Sequence, residues 1–293
     1  MTTPADSMSA IDFLIFMEHP GSLSSIGDEY YTTVPQQEVK AFSSSNYTMN
    51  EEQENCCMRI IRFLQCRVKL SGNQNGLDAN YIDGYEHKRK YIYTTSPSEN
   101  NTDKYLQMVW DKNAEIIVVP SRLENNVNFH QYWSSNEGAV IEYANFKVET
   151  LQVTTKPNYV LTLLILTNQK GRTHRISHFE YTAWPVDEFS HDLRAFMDFV
   201  SNINELYSYI EKHMSSNDPG PIIVHCIDGS NSSGVFCVLD TSITEFKKTG
   251  GLSIASTVKK IRQQIYGCMN QLNDYFFCYR LLHVYVRYEM GIN

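Results

Sequence analysis

The sequence predicts an α/β fold in a single domain, with a central, twisted, mixed β-sheet flanked by helices. Apolar β-branched runs alternate along the chain with segments whose apolar residues recur at helical spacing. The 293 residues are 42% apolar, which is enough to build one sizeable core and excludes a disordered chain. No internal repeat interrupts the alternation, so the pattern favours one domain over an array.

Five segments have the composition of strands. Residues 115–120 and 221–224 are short continuous apolar runs, which are typical of strands buried on both faces. Residues 146–155, 159–167 and 173–184 follow one another with short polar turns between them. These three runs predict an antiparallel meander.

Four segments of the second half predict helices, because their apolar residues recur every three or four positions. They cover residues 192–214, about 232–248, 253–265 and 272–289. The second of them ends at Lys247 and Lys248, just before Gly250 and Gly251. Lysines in a last turn followed by glycine are a typical helix end.

The first part of the chain differs from the rest. Residues 33–54 are polar and loop-like, so we expect a helical and polar N-terminal appendage at 1–54 and the main domain at 55–290. The apolar run 11–17 is interrupted by Asp12 and follows no Lys or Arg, which disfavours a secretory signal. No apolar run reaches the roughly 18 residues that a membrane span needs. A cytoplasmic protein is expected.

The net charge and the cysteine content disfavour several functional classes of protein. A net charge of −8 disfavours a dedicated nucleic-acid-binding protein. The seven cysteines are an odd number without Cys-x-x-Cys pairs, which favours reduced thiols, and the spacing of Cys56, Cys57 and Cys66 does not favour a metal site. No metal or other cofactor is expected. The basic run 88–90 is interpreted as a solvated strand edge in preference to a docking patch.

The most informative segment is 223–234. A buried strand leads into His225 and Cys226, five residues rich in Gly, Ser and Asn follow, and a helix begins. In such a segment the backbone N–H groups of the loop and the positive end of the helix dipole form an anion-binding cradle. The same dipoles would stabilise a Cys226 thiolate able to attack phosphorus. Taken alone, Cys226 could also be a buried cysteine at a strand end.

This segment resembles the signature loop of the cysteine-dependent protein tyrosine phosphatases of the non-receptor type, in which Val-His-Cys, five residues, Arg, Ser or Thr, and Gly follow one another. Further blocks similar to the family occur in the family's order at 67–70, 80–85, 105–110, 131–133 and 181–185. Length and altered motifs most resemble the tyrosine-phosphatase-like proteins of polydnaviruses (bracoviruses) of parasitoid wasps. The resemblance implies a phosphate loop made, around Cys226, of His225, Ile227, Asp228, Gly229, Ser230, Asn231, Ser233 and Gly234.

The sequence departs from the family at the phosphate-binding arginine, whose position is taken by Ser232. A hydroxyl cannot grip two phosphoryl oxygens as a guanidinium does. In phosphoryl transfer such an arginine contributes about 10³–10⁵ in rate. Asp228 adds a carboxylate where the family has a small neutral residue, and an inward carboxylate would repel phosphate.

The general acid is also altered, because Val186 follows Trp-Pro where the family has Asp. Acid catalysis contributes about 10²–10⁴-fold and requires hydrogen-bond reach. Either Asp187 serves as an acid shifted by one residue, or the role is lost and Asp187 and Glu188 are solvated loop residues. The second interpretation is favoured.

Two further family blocks are changed. Cys57 stands where the family has the tyrosine that stacks on phosphotyrosine, and Arg59 where it has an acidic residue. Asn270 replaces the first water-positioning glutamine and Asp274 the second, with Gln271 interpreted as a surface residue.

The correlated losses predict a catalytically inactive phosphatase-like protein that interferes with host cell signalling. The resemblance implies suppression of host immune-cell adhesion and phagocytosis, with host signalling proteins, among them phosphotyrosine proteins, as partners in the host cytoplasm. The alternative is an active or weakly active protein-tyrosine phosphatase that works through a Cys226 phosphoenzyme. A purely redox role of Cys226 is the third hypothesis.

Overall fold

A computed structural model describes residues 7–34, 47–49, 61–71, 77–120, 130–183, 193–213, 219–226 and 231–292. The helices are α1 (Ala10–Glu18), α2 (Ser22–Thr33), α3 (Thr102–Asp111), α4 (Leu193–His213), α5 (Asn231–Thr249), α6 (Ile254–Arg262) and α7 (Leu272–Glu289). The strands are β1 (Met8–Ser9), β2 (Tyr47–Met49), β3 (Ile61–Phe63), β4 (Ala79–Ile82), β5 (Tyr91–Thr95), β6 (Ile116–Val119), β7 (Val140–Glu142), β8 (Phe146–Thr155), β9 (Tyr159–Asn168), β10 (Thr173–Tyr181), β11 (Ile222–Cys226), β12 (Gly251–Leu252) and β13 (Ile265–Tyr266).

Eight of these strands form one mixed sheet in the order β4-β5-β11-β6-β10-β9-β8-β7. The inner strands β5, β11, β6 and β10 run parallel, and the outer pairs are antiparallel. All five residues of β11 are buried, as expected for a strand with a neighbour on each side and cover on both faces. The predicted α/β class with a mixed central sheet is confirmed.

The predicted elements of the second half occur close to their expected bounds. Strand β6, the meander β8-β9-β10, and helices α4 and α7 match the sequence patterns. The predicted helix 253–265 is shorter than expected: it ends at Arg262, and Ile265 and Tyr266 pair instead with Arg62 and Ile61 of β3. Residues 47–49, expected as loop, form β2, which pairs with the other edge of β3.

Helices α1 and α2 lie on the main body of the protein. Phe13, Ile26 and Tyr30 belong to the same buried core cluster as the apolar side of α7, and Met8 pairs with Leu252. The proposed boundary at residue 54 lies outside the described residues, so the division into appendage and domain stays a prediction. The described part of the appendage is nonetheless packed against the core.

A buried carboxylate, Asp240 of α5, joins three elements. It accepts hydrogen bonds from Lys90 Nζ at 2.6 Å, from Tyr91 Oη at 2.5 Å and from the Asn204 amide of α4. Lys90 is 5% exposed, so the expected solvated edge is wrong for this residue, whereas Lys88 is largely exposed. Lys90 is buried because the Asp240 charge compensates the cost of desolvating its own charge.

A second buried carboxylate, Glu29 of α2, fastens the N-terminal helices. Tyr275 and Tyr279 of α7 each donate a hydrogen bond to Glu29 Oε1 at 2.5 Å. The other oxygen, Oε2, is buried and has no hydrogen-bond partner among the described residues. Burial raises the pKa of Glu29, and the two tyrosines and the Lys259 charge offset only part of this rise.

We predict that Asp240→Leu lowers the free energy of unfolding by about 3–5 kcal/mol, because it leaves the Lys90 ammonium buried without its charge partner. Replacing both charges, in Lys90→Met/Asp240→Leu, recovers most of that loss. Urea unfolding of the variants measures both values. The exposed pair Lys147–Glu142 is the control, since Glu142→Gln changes stability by at most about 1 kcal/mol. A double variant no more stable than Asp240→Leu contradicts the interpretation.

We predict that Glu29→Gln becomes more stable relative to the wild type as the pH rises. The raised pKa means that the folded state holds the Glu29 proton more tightly than the unfolded state does. This contribution is fully present below the ordinary value of 4.5 and is lost as the pH rises through the raised pKa. Unfolding free energies of both proteins at a series of pH values measure the difference. Parallel pH curves for the two proteins speak against a raised pKa.

Candidate functional site

The carboxyl end of β11 and the N-terminus of α5 are the two described ends of the segment predicted to form the cradle. Cys226 ends this central strand and is 1% exposed, and α5 begins at Asn231, five residues further on. Ser232 and Ser233 therefore occupy the first turn of a 19-residue helix, where backbone N–H groups have no helical partners. Both serines are buried. The strand that ends in Cys226 and the helix that follows it occur as the sequence predicts, and the cradle between them stays a prediction.

His225 is held in a polar network beneath Cys226. Its Nδ1 lies 2.9 Å from Ser96 Oγ and its Nε2 lies 3.0 Å from Tyr132 Oη. Tyr132 Oη in turn lies 3.3 Å from Tyr105 Oη. Burial lowers the pKa of His225 to about 3, so the imidazole is neutral at physiological pH. The neutral His225 ring, with a hydrogen bond at each nitrogen, orients the end of β11 and adds no charge to the cradle.

Ser96 contacts the site through its backbone as well. Its N–H donates to the Cys226 carbonyl at 2.9 Å, just beyond the pairing of Cys226 with Thr95 of β5. The sequence does not predict that Ser96 and the Tyr132 hydroxyl bind the His225 ring. Tyr105 and Tyr132 lie in the family-like blocks 105–110 and 131–133, which could have indicated them, whereas no sequence pattern around Ser96 does so.

Gly234 allows α5 to pack closely against the segment before α7. A Cβ atom at this position would lie 2.5 Å from Cys268 Sγ, closer than real contacts allow. Cys268 is fully buried, and burial raises the pKa of its thiol to about 12. The glycine is thus required by packing beside the cradle, and Cys268 acts as an inert apolar side chain.

Asn270, which the sequence predicts to replace a water-positioning glutamine, is hydrogen-bonded to a buried arginine. Arg262 Nη1 donates to the Cys268 carbonyl at 2.5 Å and to Asn270 Oδ1 at 3.1 Å. Gln271 is exposed at the N-cap of α7, as predicted, and Asp274 lies in the first turn of that helix. The side-chain oxygen of Asn270 therefore accepts a hydrogen bond that stabilises the fold.

Several predicted site residues lie outside the described residues. They are Val186 and Asp187 of the acid loop, Ile227, Asp228, Gly229 and Ser230 of the phosphate loop, and Cys57 and Arg59 of the substrate loop. Asn231 is described by its backbone only, as the first residue of α5. The roles assigned to these residues stay predictions.

The remaining described histidine near the site is fully buried. The His178 ring centroid lies 6.4 Å from that of His225 and 4.1 Å from that of Trp133. Burial lowers the pKa of His178, and the neighbouring His225 adds to this effect. In the part of the chain that the structure describes, the cysteines form no disulfide, and no three acidic, His or Cys side chains group as metal ligands.

A buried cysteine ends a central parallel strand, and four residues separate it from the first residue of a helix, which is the arrangement expected for the class of cysteine-dependent phosphatases. The comparison with known families agrees with this geometry. Residues 30–283 match the family model of the protein-tyrosine phosphatases. Because the match covers most of the chain, the protein belongs to the protein-tyrosine phosphatase family.

Individual proteins similar to this chain occur in a bracovirus and in humans. Tyrosine phosphatase-like protein J3 of Microplitis demolitor bracovirus (isolate Webb) is 81% identical over 74% of this chain and 86% of its own length. Probable tyrosine phosphatase protein J2 of the same virus is 52% identical over 97% of this chain and 96% of its own length. Human tyrosine-protein phosphatase non-receptor type 9 is 29% identical over 74% of this chain and 39% of its own length.

None of the helices among the described residues combines the length and the apolar character that crossing a bilayer requires.

We predict that Gly234→Ala destabilises the protein by about 1–3 kcal/mol, because the added methyl group overlaps Cys268 Sγ. Cys268→Ala in the same chain removes the overlap, so the double variant is more stable than the sum of the two single effects. Thermal and urea unfolding of the four proteins measure this coupling. Additive effects of the two substitutions would show that the two residues do not press on each other.

Proposed function

We propose that this chain is a catalytically inactive member of the family, a tyrosine-phosphatase-like binding protein that interferes with signalling in a host cell. The observation that carries the proposal is Ser232 at the N-terminus of α5. It is buried in the first turn of the helix that follows Cys226, and the family resemblance assigns it to the position of the phosphate-gripping arginine. Without a guanidinium at this position, the transition-state charge of phosphoryl transfer loses its main stabilising contact.

Arg262, a buried arginine that contacts Cys268 and Asn270, does not supply the missing group. Arg262 is buried, and its Nη1 is committed to the Cys268 carbonyl and Asn270 Oδ1. Moving it into the cradle would leave these acceptors without their donor and would break a buried contact. The hydroxyl of Ser233, buried and without a hydrogen-bond partner among the described residues, is neutral and cannot replace a cation.

The contacts that hold the residues around the cradle favour a binding role over a catalytic role. His225 keeps both of its hydrogen bonds, and the Gly234–Cys268 contact keeps α5 against the segment before α7. These contacts do not involve the reacting groups, so the fold around the altered site is available for binding without turnover. Two bracovirus relatives carry phosphatase-related names, and one of them is described as phosphatase-like.

The bracovirus relatives also suggest where the protein acts. We propose the cytoplasm of infected host cells as its location and host signalling proteins, phosphotyrosine proteins among them, as its partners. The expected consequence is reduced adhesion and phagocytosis by host immune cells. A phosphopeptide trap does not fit, because Ser232 removes the phosphate grip that a trap requires.

The second candidate is a protein-tyrosine phosphatase of low activity. The observation in its favour is Cys226, which lies at the end of β11 next to the helix N-terminus as a nucleophile would. In this hypothesis Asp187 donates the proton to the leaving group.

We predict that purified wild type hydrolyses a small aryl phosphate no faster than Cys226→Ser. Ser232→Arg restores measurable turnover, and Ser232→Arg/Val186→Asp raises it further, because the arginine and the acid act on the same transition state. Initial rates at equal protein concentration, after circular dichroism has shown each variant to be folded, measure the effect.

The matched control for this experiment is Ser232→Arg/Cys226→Ser, which has the arginine and lacks the nucleophile. Its turnover must equal that of Cys226→Ser if the restored activity uses Cys226. A wild type well above Cys226→Ser would overturn the inactive assignment and favour the phosphatase of low activity.

A further inference from the structure

Exposed apolar side chains are concentrated on α1 and α2. Among the described residues, ten large apolar side chains are exposed, and four of them lie on these two helices. Ile11 and Leu23 are each 60% exposed, Ile15 is 64% exposed and Tyr31 is 67% exposed. Apolar residues grouped in this way on a protein surface are typical of an interaction site.

The other sides of α1 and α2 are buried against the body of the protein. Phe13 of α1 and Ile26 of α2 are fully buried, in the core cluster that contains the apolar side of α7. Ile11 and Ile15 are one helical turn apart and lie on the same side of α1, whereas Phe13, two residues from each, lies on the other side. The exposed isoleucines therefore face away from the core.

The exposed side of α2 has a recess at Gly27. Leu23, Gly27 and Tyr31 recur every four residues and form one row along the helix. A Cβ atom added at Gly27 would have no heavy atom within 4 Å, so open space separates the two large side chains. Leu23 and Tyr31 are about 12 Å apart along the helix axis, at about 1.5 Å per residue. Apolar residues on one side of a second helix, two turns apart, have a similar spacing, so a helix is the element that fits this row.

The charges beside these apolar side chains are acidic. The first 34 residues of the chain contain no Lys or Arg. Asp12, Glu18 and Asp28 are exposed on α1 and α2, and among the described residues only Glu18 of the three has a cationic partner, Arg287 Nη1 at 3.2 Å. Asp12 accepts a hydrogen bond from Ser9 Oγ at 2.6 Å, which leaves its charge uncompensated.

The basic residues of α6 that face α2 have partners of their own. Arg262 is buried and donates two hydrogen bonds to the segment before α7, and the charge of Lys259 faces the buried Glu29. Within the described part of the chain, Asp12 and Asp28 therefore keep their negative charges beside an exposed apolar surface.

We propose that the α1–α2 face binds a basic amphipathic helix of a partner protein. This face consists of Ile11, Asp12, Ile15, Leu23, Asp28 and Tyr31. The apolar side of the partner helix covers the isoleucines and the recess at Gly27, and its Lys or Arg side chains pair with the two aspartates.

Charge selects this occupant over two others. A second copy of this chain would bring the same acidic face against the first, and the surface of an anionic membrane would repel the aspartates in the same way. The inference rests on the proposed function, a binding role, and adds the chemistry of the partner. Most of the face lies outside the family match, which begins at residue 30.

The test is binding of the fluorescein-labelled peptide Leu-Lys-Lys-Leu-Leu-Lys-Leu-Leu-Lys-Lys-Leu-Leu-Lys-Leu, followed by anisotropy, with a second peptide in which Glu replaces every Lys. Wild type is expected to bind the lysine peptide about tenfold more tightly than the glutamate peptide, and less tightly as salt is raised. Ile15→Ser removes apolar contact and Asp28→Lys reverses a charge, and each is expected to weaken binding about tenfold. Both side chains are exposed, so the fold is expected to persist.

Leu151→Ser and Glu99→Lys are the matched controls, because they make the same kinds of change at exposed positions of β8 and of the loop between β5 and α3. Each should leave the affinity within about twofold. Equal losses in the controls and the test variants would mean that the peptide responds only to the net charge of the chain, and would overturn the inference. Equal binding of the two peptides by wild type would overturn it as well.

Sedimentation of wild type and Ile15→Ser, alone and with phosphatidylserine vesicles, tests the other two occupants. A wild-type dimer that Ile15→Ser dissociates, or vesicle binding that Ile15→Ser abolishes, would overturn the inference in favour of self-association or a membrane.

The peptide contains no phosphate, so Cys226→Ser must bind it as wild type does. Hydrolysis of an aryl phosphate by wild type, with peptide binding intact, would overturn the proposed function alone. An inactive wild type that does not bind the lysine peptide would overturn this inference alone.

Discussion

The position of α5 in the fold depends on one buried carboxylate. Asp240 lies in the middle of α5 and bonds to Lys90 and Tyr91 at the start of β5 and to Asn204 of α4. Because β5 pairs with β11, this contact fixes the helix that follows the cradle relative to the strand that precedes it. A buried ion pair of this kind contributes little net stability over apolar packing, but it penalises any arrangement in which one charge lacks the other. It therefore specifies the position of α5.

The site itself is fixed by contacts that do not involve the reacting groups. Ser96 and Tyr132 hold the neutral His225 ring, and Gly234 admits Cys268 against α5. Each of these contacts is complete without a bound ligand. An arginine in the cradle would differ, because its charge partner is the phosphate of a substrate. The side chains that maintain the fold around the site are thus distinct from Cys226 and Ser232, the side chains to which the sequence assigns the altered chemistry.

The sequence predicted the parts of the fold that depend on local periodicity. The meander, α7 and the strand that leads into Cys226 follow from alternation, helical spacing and a continuous apolar run. It did not predict β4, β5 or the burial of Lys90, because a short strand has a weak pattern and a buried lysine depends on a partner 150 positions away in the chain. Ser96 was missed for the same reason, since its significance depends on His225, which is 129 positions away. The assignments of Ser232 to the arginine position and of Asn270 to the first glutamine position rest on ordered blocks of a known pattern and stay predictions.

Because the contacts that maintain the fold do not involve the cradle groups, a substitution in the cradle can abolish catalysis without unfolding the protein. Removing one member of a buried ion pair costs several kcal/mol, so such positions are constrained by stability alone. Replacing a cradle arginine by serine removes a cation whose partner is absent from the free protein, and the small Ser232 side chain is buried in the first turn of α5. The substitution therefore relieves a concentration of positive charge at the positive end of the helix dipole. On this physical basis Ser232 is neutral or favourable for folding, and only a requirement for turnover would select against it.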